Sequence, residues 1–234
     1  LSWLDPIFEF NQYNRDQFVQ SVANSLPQGA RVLDAGAGPC KYRPLFAHCR
    51  YESQDFGQYT GPDLKYGQID HVCDITAIPV EANSFDCIIC TEVLEHVPYP
   101  DRVINELARI LRPGGTLALT APFTSGIHMA PYHYYAGFSR YWYQHFLPLA
   151  GLQIQSCQAN GGFFKLYGQE SARFLYAITP SHRLARWCFL PLKAVLALWF
   201  RLLLPLACHY LDRFDPEPEQ TVGYLVIARK TAAA

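Results

Sequence analysis

Charge is what this sequence has least of. Asp, Glu, Lys and Arg make up 17% of the 234 residues, against about 25% in an ordinary globular domain. With 50% hydrophobic residues, that excludes intrinsic disorder, a collagen-like chain and a coiled coil. Nineteen basic and 20 acidic side chains leave a net charge of −1, so no overall basic field points to nucleic acid, and none is expected as a partner. There is no internal repeat, and the only low-complexity stretch is the Pro/Glu-rich turn at 215–219. A dense disulfide framework is missing too: the eight cysteines are scattered, mostly in apolar runs, as in a reducing compartment. Cys87 and Cys90 have C-x-x-C spacing, but in a strand that spacing puts the thiols on opposite faces, which favours buried hydrophobes over a redox or zinc pair. Asp5 and Glu9 stand where the basic start of a secretory signal would be, so none is expected and the localisation expected is cytoplasmic.

The scarcity of charge is uneven. Residues 1–120 carry nine bases and 15 acids, whereas 121–211 carry seven bases and a single acid, Glu170. The two stretches also differ in pattern. In the first, short apolar runs at 31–35, 51–55, 85–91 and 116–121, with a further strand ending near Cys73-Asp74, alternate with helical or loop segments. Residues 14–26 and 100–111 have helical apolar spacing, the latter stopping at Pro113-Gly114-Gly115, and 41–48 reads as helix. Alternation of this kind predicts βαβ units and a largely parallel sheet, with ligands at the carboxyl edge of the strands. The second stretch predicts a helix at 139–150, a strand at 152–159, an apolar helical region at 164–211 broken or kinked by Pro191 and Pro205, and a last strand at 223–229.

Polar residues recur at the strand ends. Val32-Leu33-Asp34-Ala35-Gly36-Ala37-Gly38 is a strand running into a glycine turn, where backbone approaches a ligand closely because no Cβ intervenes. A dinucleotide G-x-G-x-x-G would need glycine at 41, which is Lys41. Asp55 closes the second strand, placed to accept from both hydroxyls of a ribose in a nicotinamide or an adenosyl cofactor alike. Asp74 closes the third, beside Ile75, an acceptor and an apolar wall suited to adenine. Thr91-Glu92-Val93-Leu94-Glu95-His96 closes the fourth.

Taken together, Val32–Gly38, Asp55, Asp74, Phe85–His96 and Leu111–Ala121 resemble the class I S-adenosylmethionine-dependent methyltransferases, in particular the type 11 small-molecule group. The resemblance covers roughly residues 25–160. It implies a Rossmann-like seven-stranded, mostly parallel sheet whose last strand runs antiparallel between strands five and six. It implies S-adenosylmethionine as cofactor, with Asp34, Gly36 and Gly38 near the methionine moiety, Asp55 on the ribose, Asp74 and Ile75 on the adenine, Phe56 on the other ring face, and Thr91 and Glu92 towards the sulfonium. Cys40 and Pro39 depart from the usual loop, where many members have a third glycine. One domain over 1–234 is expected: a cofactor half at 1–120, substrate-side insertions and a helical, aromatic lid at 121–222, and the last strand at 223–230.

Residues 121–158 hold one formal charge, Arg140, and eight aromatic rings between Tyr132 and Phe146, with His128, His133 and His145 among them. Ring-lined walls suit a small, apolar or amphiphilic acceptor. His96 and His133 are the expected proton acceptors or orienting groups. No metal is expected, because no acid accompanies His128 and His133 in their segment. In 184–208, Arg186, Lys193 and Arg201 fall within ~80° of helical arc on an otherwise apolar surface. Lys193 and Arg201 inside the span argue against a transmembrane helix, leaving a lid, a homodimer face or peripheral membrane contact. Two other functions fit the fold pattern: a nicotinamide-dependent oxidoreductase, and a methyltransferase-like binding or membrane-associated module without turnover.

Overall fold

The computed structural model describes residues 3–62, 64–178 and 182–231. They group into two compact units, Arg15–Gln158 with Gly223–Ala234, and Leu1–Asn14 with Ala159–Val222.

The first unit is built on a seven-stranded sheet. Its strands are β1 (Arg31–Ala35), β2 (Arg50–Asp55), β3 (His71–Val72), β4 (Phe85–Thr91), β5 (Leu111–Pro122), β6 (Leu152–Ala159) and β7 (Gly223–Lys230), in the order β3-β2-β1-β4-β5-β7-β6. Strands β3, β2, β1, β4 and β5 pair in parallel, while β7 lies antiparallel to β5, from Thr116↔Arg229 to Pro122↔Gly223. This is the order and the antiparallel insertion that the resemblance implies. β1 and β4 are central and covered on both faces, which is why their sequences are continuous apolar runs. Cys87 and Cys90 are fully buried free thiols in β4, and burial pushes the Cys87 thiol up to about 12, far from a reactive thiolate.

Helix α2 (Phe10–Ser25), preceded by the single turn α1 (Asp5–Phe8), sets Val19, Val22 and Ala23 against Val32, Cys87, Ile89 and Ala118 of the sheet. Helix α3 (Pro100–Ile110) starts with proline at its first position and buries Val103, Ile104, Leu107 and Ile110. Its Glu106 accepts from the Ile78 backbone N–H at 2.7 Å and pairs with Arg109 at the same distance. Gly114, at φ +77°, lets the chain leave α3 and bulge before β5 settles against β4. Helix α4 (Arg140–Leu149) buries Tyr143 and Leu147.

The segment after the first glycine turn differs from expectation. Over 41–48 only a four-residue 3₁₀ turn forms, Arg43–Phe46. The segment is drawn into the sheet after one turn: Gly29 N–H donates to the His48 carbonyl and Arg50 N–H to the Ala30 carbonyl, both at 2.8 Å, and β2 begins at Arg50.

The second unit is helical: α5 (Phe163–Ala177), α6 (Arg183–Leu198), a π-helical turn (Trp199–Leu203) and α7 (Leu204–Leu211). The run is not broken at its prolines. Pro191 lies inside α6, and the π turn directly precedes Pro205, whose ring cannot donate to the ladder, so the widened turn takes up the mismatch. Gly168 of α5 faces α7 closely; a Cβ there would meet the Cys208 Cβ at 3.1 Å. The amino end of α5 is capped from a distance: Asp212 accepts from Gly162 and Lys165 N–H, and Asp215 accepts from Phe163 N–H at 2.8 Å. A groove of about 400 Å³ in this unit is lined by Phe8, Phe10, Lys165, Arg173, Arg201 and Pro205, among others. Phe189–Phe214 is long and apolar enough to cross a membrane by length and composition, and little of it is buried. Lys193 and Arg201 lie in this run; the side chain of Arg186 lies outside the described residues.

Candidate active site

The carboxyl edge of β1, β2 and β4 gathers the residues singled out by sequence. β1 ends in a turn with Gly36 at φ +76° and Gly38 at φ +50°. The N–H groups of Gly36 and Ala37 donate to the Gln54 carbonyl at 2.8 and 2.9 Å, which ties the turn to β2. A Cβ on Gly36 would meet Val93 at 2.3 Å, so both the backbone angle and the approach of the β4 loop require glycine.

Asp55, only 6% exposed, joins two loops. One carboxylate oxygen accepts from Gly38 N–H at 2.9 Å, the other from Gly57 N–H at 3.1 Å. A carboxylate offers about four acceptor positions, so two remain for donors outside the chain. Phe56 follows and meets Tyr132 edge-on at 5.0 Å between ring centroids, which links the second loop to the aromatic segment. Asp74 is exposed; one of its oxygens accepts from the N–H and hydroxyl of Thr76, both at 2.8 Å, and Ile75 beside it is buried. Asp34 is placed differently. At 2% exposure it lies behind the turn, where it accepts from the Tyr51 hydroxyl at 2.6 Å, and burial raises its carboxyl to about 7. It braces the turn from behind.

Thr91 ends β4 half-buried, and Glu92 follows at φ +54°. The Glu92 carboxylate accepts from the Thr120 hydroxyl at 2.8 Å and pairs with Arg15 of α2 at 3.0 Å. Sequence reading missed Arg15. Its partner lies 77 positions away, and the one local signal was a cation among the apolar positions of an amphipathic helix.

The next turn carries Glu95 and His96, and the structure brings both histidines of the aromatic segment to it. The Glu95 carbonyl accepts from Tyr134 N–H at 2.9 Å and Tyr135 N–H at 3.3 Å, fixing that segment over the end of β4. The His96 ring lies 4.7 Å from that of His128 and 5.9 Å from that of His133, and His128 and His133 are 4.8 Å apart. His96 Nδ1 faces the Tyr132 carbonyl at 2.5 Å, and His128 Nδ1 faces the Gly126 carbonyl at 2.9 Å. A carbonyl only accepts, so both Nδ1 atoms carry the proton and both Nε2 atoms keep a lone pair. His133 is the reverse. The Ser125 hydroxyl donates to the Ala136 carbonyl at 3.0 Å, so its oxygen accepts from His133 Nε2–H at 3.2 Å and leaves Nδ1 basic. Burial holds His96 and His133 below the usual histidine range, so both are neutral at pH 7. Of the rings around them, Phe138 and Tyr143 pack the core, while Tyr134, Tyr135 and Tyr141 are exposed.

A doubly wound sheet of this order, with a glycine turn and acids at successive strand ends, is the Rossmann-like arrangement that the sequence resemblance implies. Residues 33–119 match the family described as a methyltransferase domain. Over 134 residues the chain is 33% identical to a ubiquinone biosynthesis O-methyltransferase of Bordetella avium, covering 48% of this chain and 53% of that one. Over 122 residues it is 31% identical to a tRNA (carboxymethyluridine(34)-5-O)-methyltransferase of Arabidopsis thaliana, covering 49% and 30%. The chain thus spans about half the length, or less, of these curated relatives. Among solved structures it is similar to the [4+2]-cyclase SpnF, with a TM-score of 0.58 at 18% identity over 95% of this chain and 83% of that one, a likeness of fold. The methyltransferase match thus runs from β1 into β5 of the sheet, and S-adenosylmethionine is the cofactor it implies.

The residues present fit that cofactor. Asp55 keeps acceptor capacity for two hydroxyls, the turn at Gly36 and Gly38 adds no side chain of its own at those positions, and Asp74 with Ile75 offers an exposed acceptor beside an apolar wall.

Proposed function

We propose that the chain transfers a methyl group from S-adenosylmethionine to a small amphiphilic acceptor, and that its helical unit holds it on an anionic membrane surface. The observation that carries the first part is the meeting of the Gly36–Gly38 turn, Asp55 and the neutral histidines at one sheet edge. When bound, S-adenosylmethionine supplies a methyl carbon on positively charged sulfur, and the carbon–sulfur pair returns to sulfur as the acceptor's lone pair forms the new bond. Asp55 would hold the ribose, Asp74 and Ile75 the adenine, and the Gly36–Gly38 backbone the methionine part. For a hydroxyl acceptor the departing proton has two neutral recipients, His133 at Nδ1 and His96 at Nε2. Exposed Tyr134 and Tyr135 and the partly buried Tyr132 give the acceptor side flat apolar walls with polar tips.

Membrane contact is favoured by the exposed apolar side chains of α6 and the π turn: Val195 is 65% exposed, Leu198 52% and Trp199 51%. A basic, nearly acid-free sequence suits anionic lipid, as do Lys165, Arg173 and Arg201 in a groove with Phe8 and Phe10.

The test supplies S-adenosylmethionine with a labelled methyl group to the full chain, with phenols, long-chain alcohols, glycolipids and transfer RNA as separate acceptors. Label is expected in an amphiphilic product, reduced by at least about tenfold in His133→Ala. Label confined to RNA, or transfer to none of them, would overturn the reading.

A further inference from the structure

We propose that Glu95, His96 and His128 form a binding site for a divalent transition-metal ion of the zinc class, open on the acceptor side. The donor atoms of the three side chains lie within 4.8 Å of one another. Nothing in the local sequence brings them together: His128 is 32 residues from His96 and arrives through the loop after β5, which is tied down by the contacts of Tyr134 and Tyr135 to the Glu95 carbonyl.

Three features make this a built site. Both histidines donate Nδ1–H to a backbone carbonyl, Tyr132 for His96 and Gly126 for His128. That is the outer-shell arrangement that fixes a metal-binding imidazole and frees Nε2. Glu95 is 1% exposed, and its Oε2 has no hydrogen-bond partner among the described residues. A buried carboxyl oxygen without a partner is costly in the folded state, and a cation there would give it one. Third, Glu95 Oε1 stands 3.8 Å from His96 Nε2, too far for a direct hydrogen bond and a gap of ionic size. A donor set of two imidazoles and one carboxylate selects a first-row transition ion over magnesium or calcium, which favour all-oxygen shells. Small rotations would bring the three donors to the ~2.0–2.2 Å bonds of zinc.

His128 is exposed, so the ion would keep open positions facing solvent and acceptor. There it would supply Lewis acidity to an acceptor hydroxyl, whose proton would go to Nδ1 of His133 as the oxygen takes the methyl group; His96 would then act as a ligand. This last step rests on the methyl-transfer reading, whereas the binding site itself does not.

The experiment uses the full chain stripped with a chelator. Co²⁺ is titrated by its visible absorption, Zn²⁺ by competition with a chromophoric chelator, and S-adenosylmethionine affinity is measured in parallel by calorimetry. One equivalent of metal is expected, with His128→Ala and Glu95→Gln each weakening it at least about 100-fold and His145→Ala, outside the cluster, leaving it unchanged. His128 is exposed, so its loss should not unfold the chain, and retained S-adenosylmethionine binding shows that each variant is folded. Absence of stoichiometric uptake, or uptake as tight in His128→Ala as in the parent, would overturn the metal site while leaving the methyltransferase reading intact. Metal uptake without S-adenosylmethionine binding would do the opposite.

Discussion

At the scale of single residues, the acids divide by what surrounds them. Asp74 is exposed and Asp55, though buried, accepts from backbone N–H groups of two loops, whereas Asp34, within β1, is sealed against Tyr51. Burial raises the Asp34 carboxyl from 3.8 to about 7 in the folded protein. The folded state therefore binds this proton more tightly than the unfolded chain. Stability from this group is fully present below pH 3.8 and is lost as pH rises towards and through about 7. Asp34→Asn, which can still accept from Tyr51, should leave stability near pH 4 almost unchanged and raise it at pH 8 by on the order of 2 kcal/mol. Denaturant unfolding of both proteins at the two pH values checks this; equal differences at both would contradict it. The sequence could place these acids at strand ends because strands are short apolar runs, but not rank their burial, which depends on a tyrosine from the neighbouring strand.

At the scale of elements, β1 and β4 lie where their apolar runs predicted, Arg31–Ala35 and Phe85–Thr91, and β7 begins at Gly223 as read. A strand covered on both faces leaves a signature in its own residues. The helix expected at 41–48 stops after one turn because His48 and Arg50 already hydrogen-bond to Gly29 and Ala30, a pairing that helical apolar spacing does not weigh. The histidine cluster was illegible for a different reason: a search for an acid near His128 within its own segment could not see Glu95, delivered by another strand. The same long reach explains Asp215, which opens the Pro/Glu-rich turn, and Asp212 before it: both serve as the amino-terminal cap of α5. Asp212→Ala removes acceptors for two helix N–H groups and should destabilise the helical unit by about 1–2 kcal/mol. Hydrogen exchange should register this in α5, with the amides of β1 and β4 unaffected.

At the scale of the whole molecule, the near-neutral charge averages two unlike parts. The acid-rich part supplies β1 to β4, most of β5 and the glycine turn; the acid-poor part supplies the aromatic segment, β6 and the helices with exposed leucine, valine and tryptophan. Exposed apolar area of that extent on helices is uncommon in a monomer with no partner. On the membrane reading, the chain should co-sediment with vesicles containing anionic lipid and much less with zwitterionic ones. Val195→Ser combined with Trp199→Ser should reduce that binding at least about tenfold, since each removes roughly 1–2 kcal/mol of apolar burial. Binding indifferent to both changes would point to the dimer instead, and sedimentation velocity would then show a second copy bound.

The central claim is that an adenosyl cofactor binds at the carboxyl edge of β1 and β2 with Asp55 as its principal acceptor. Calorimetric titration with S-adenosylmethionine tests it most directly. One site per chain is predicted, weakened about 10–100-fold in Asp55→Ala through loss of hydrogen bonds to a charged group. Absence of binding to the parent chain, or equal affinity in Asp55→Ala, would contradict it.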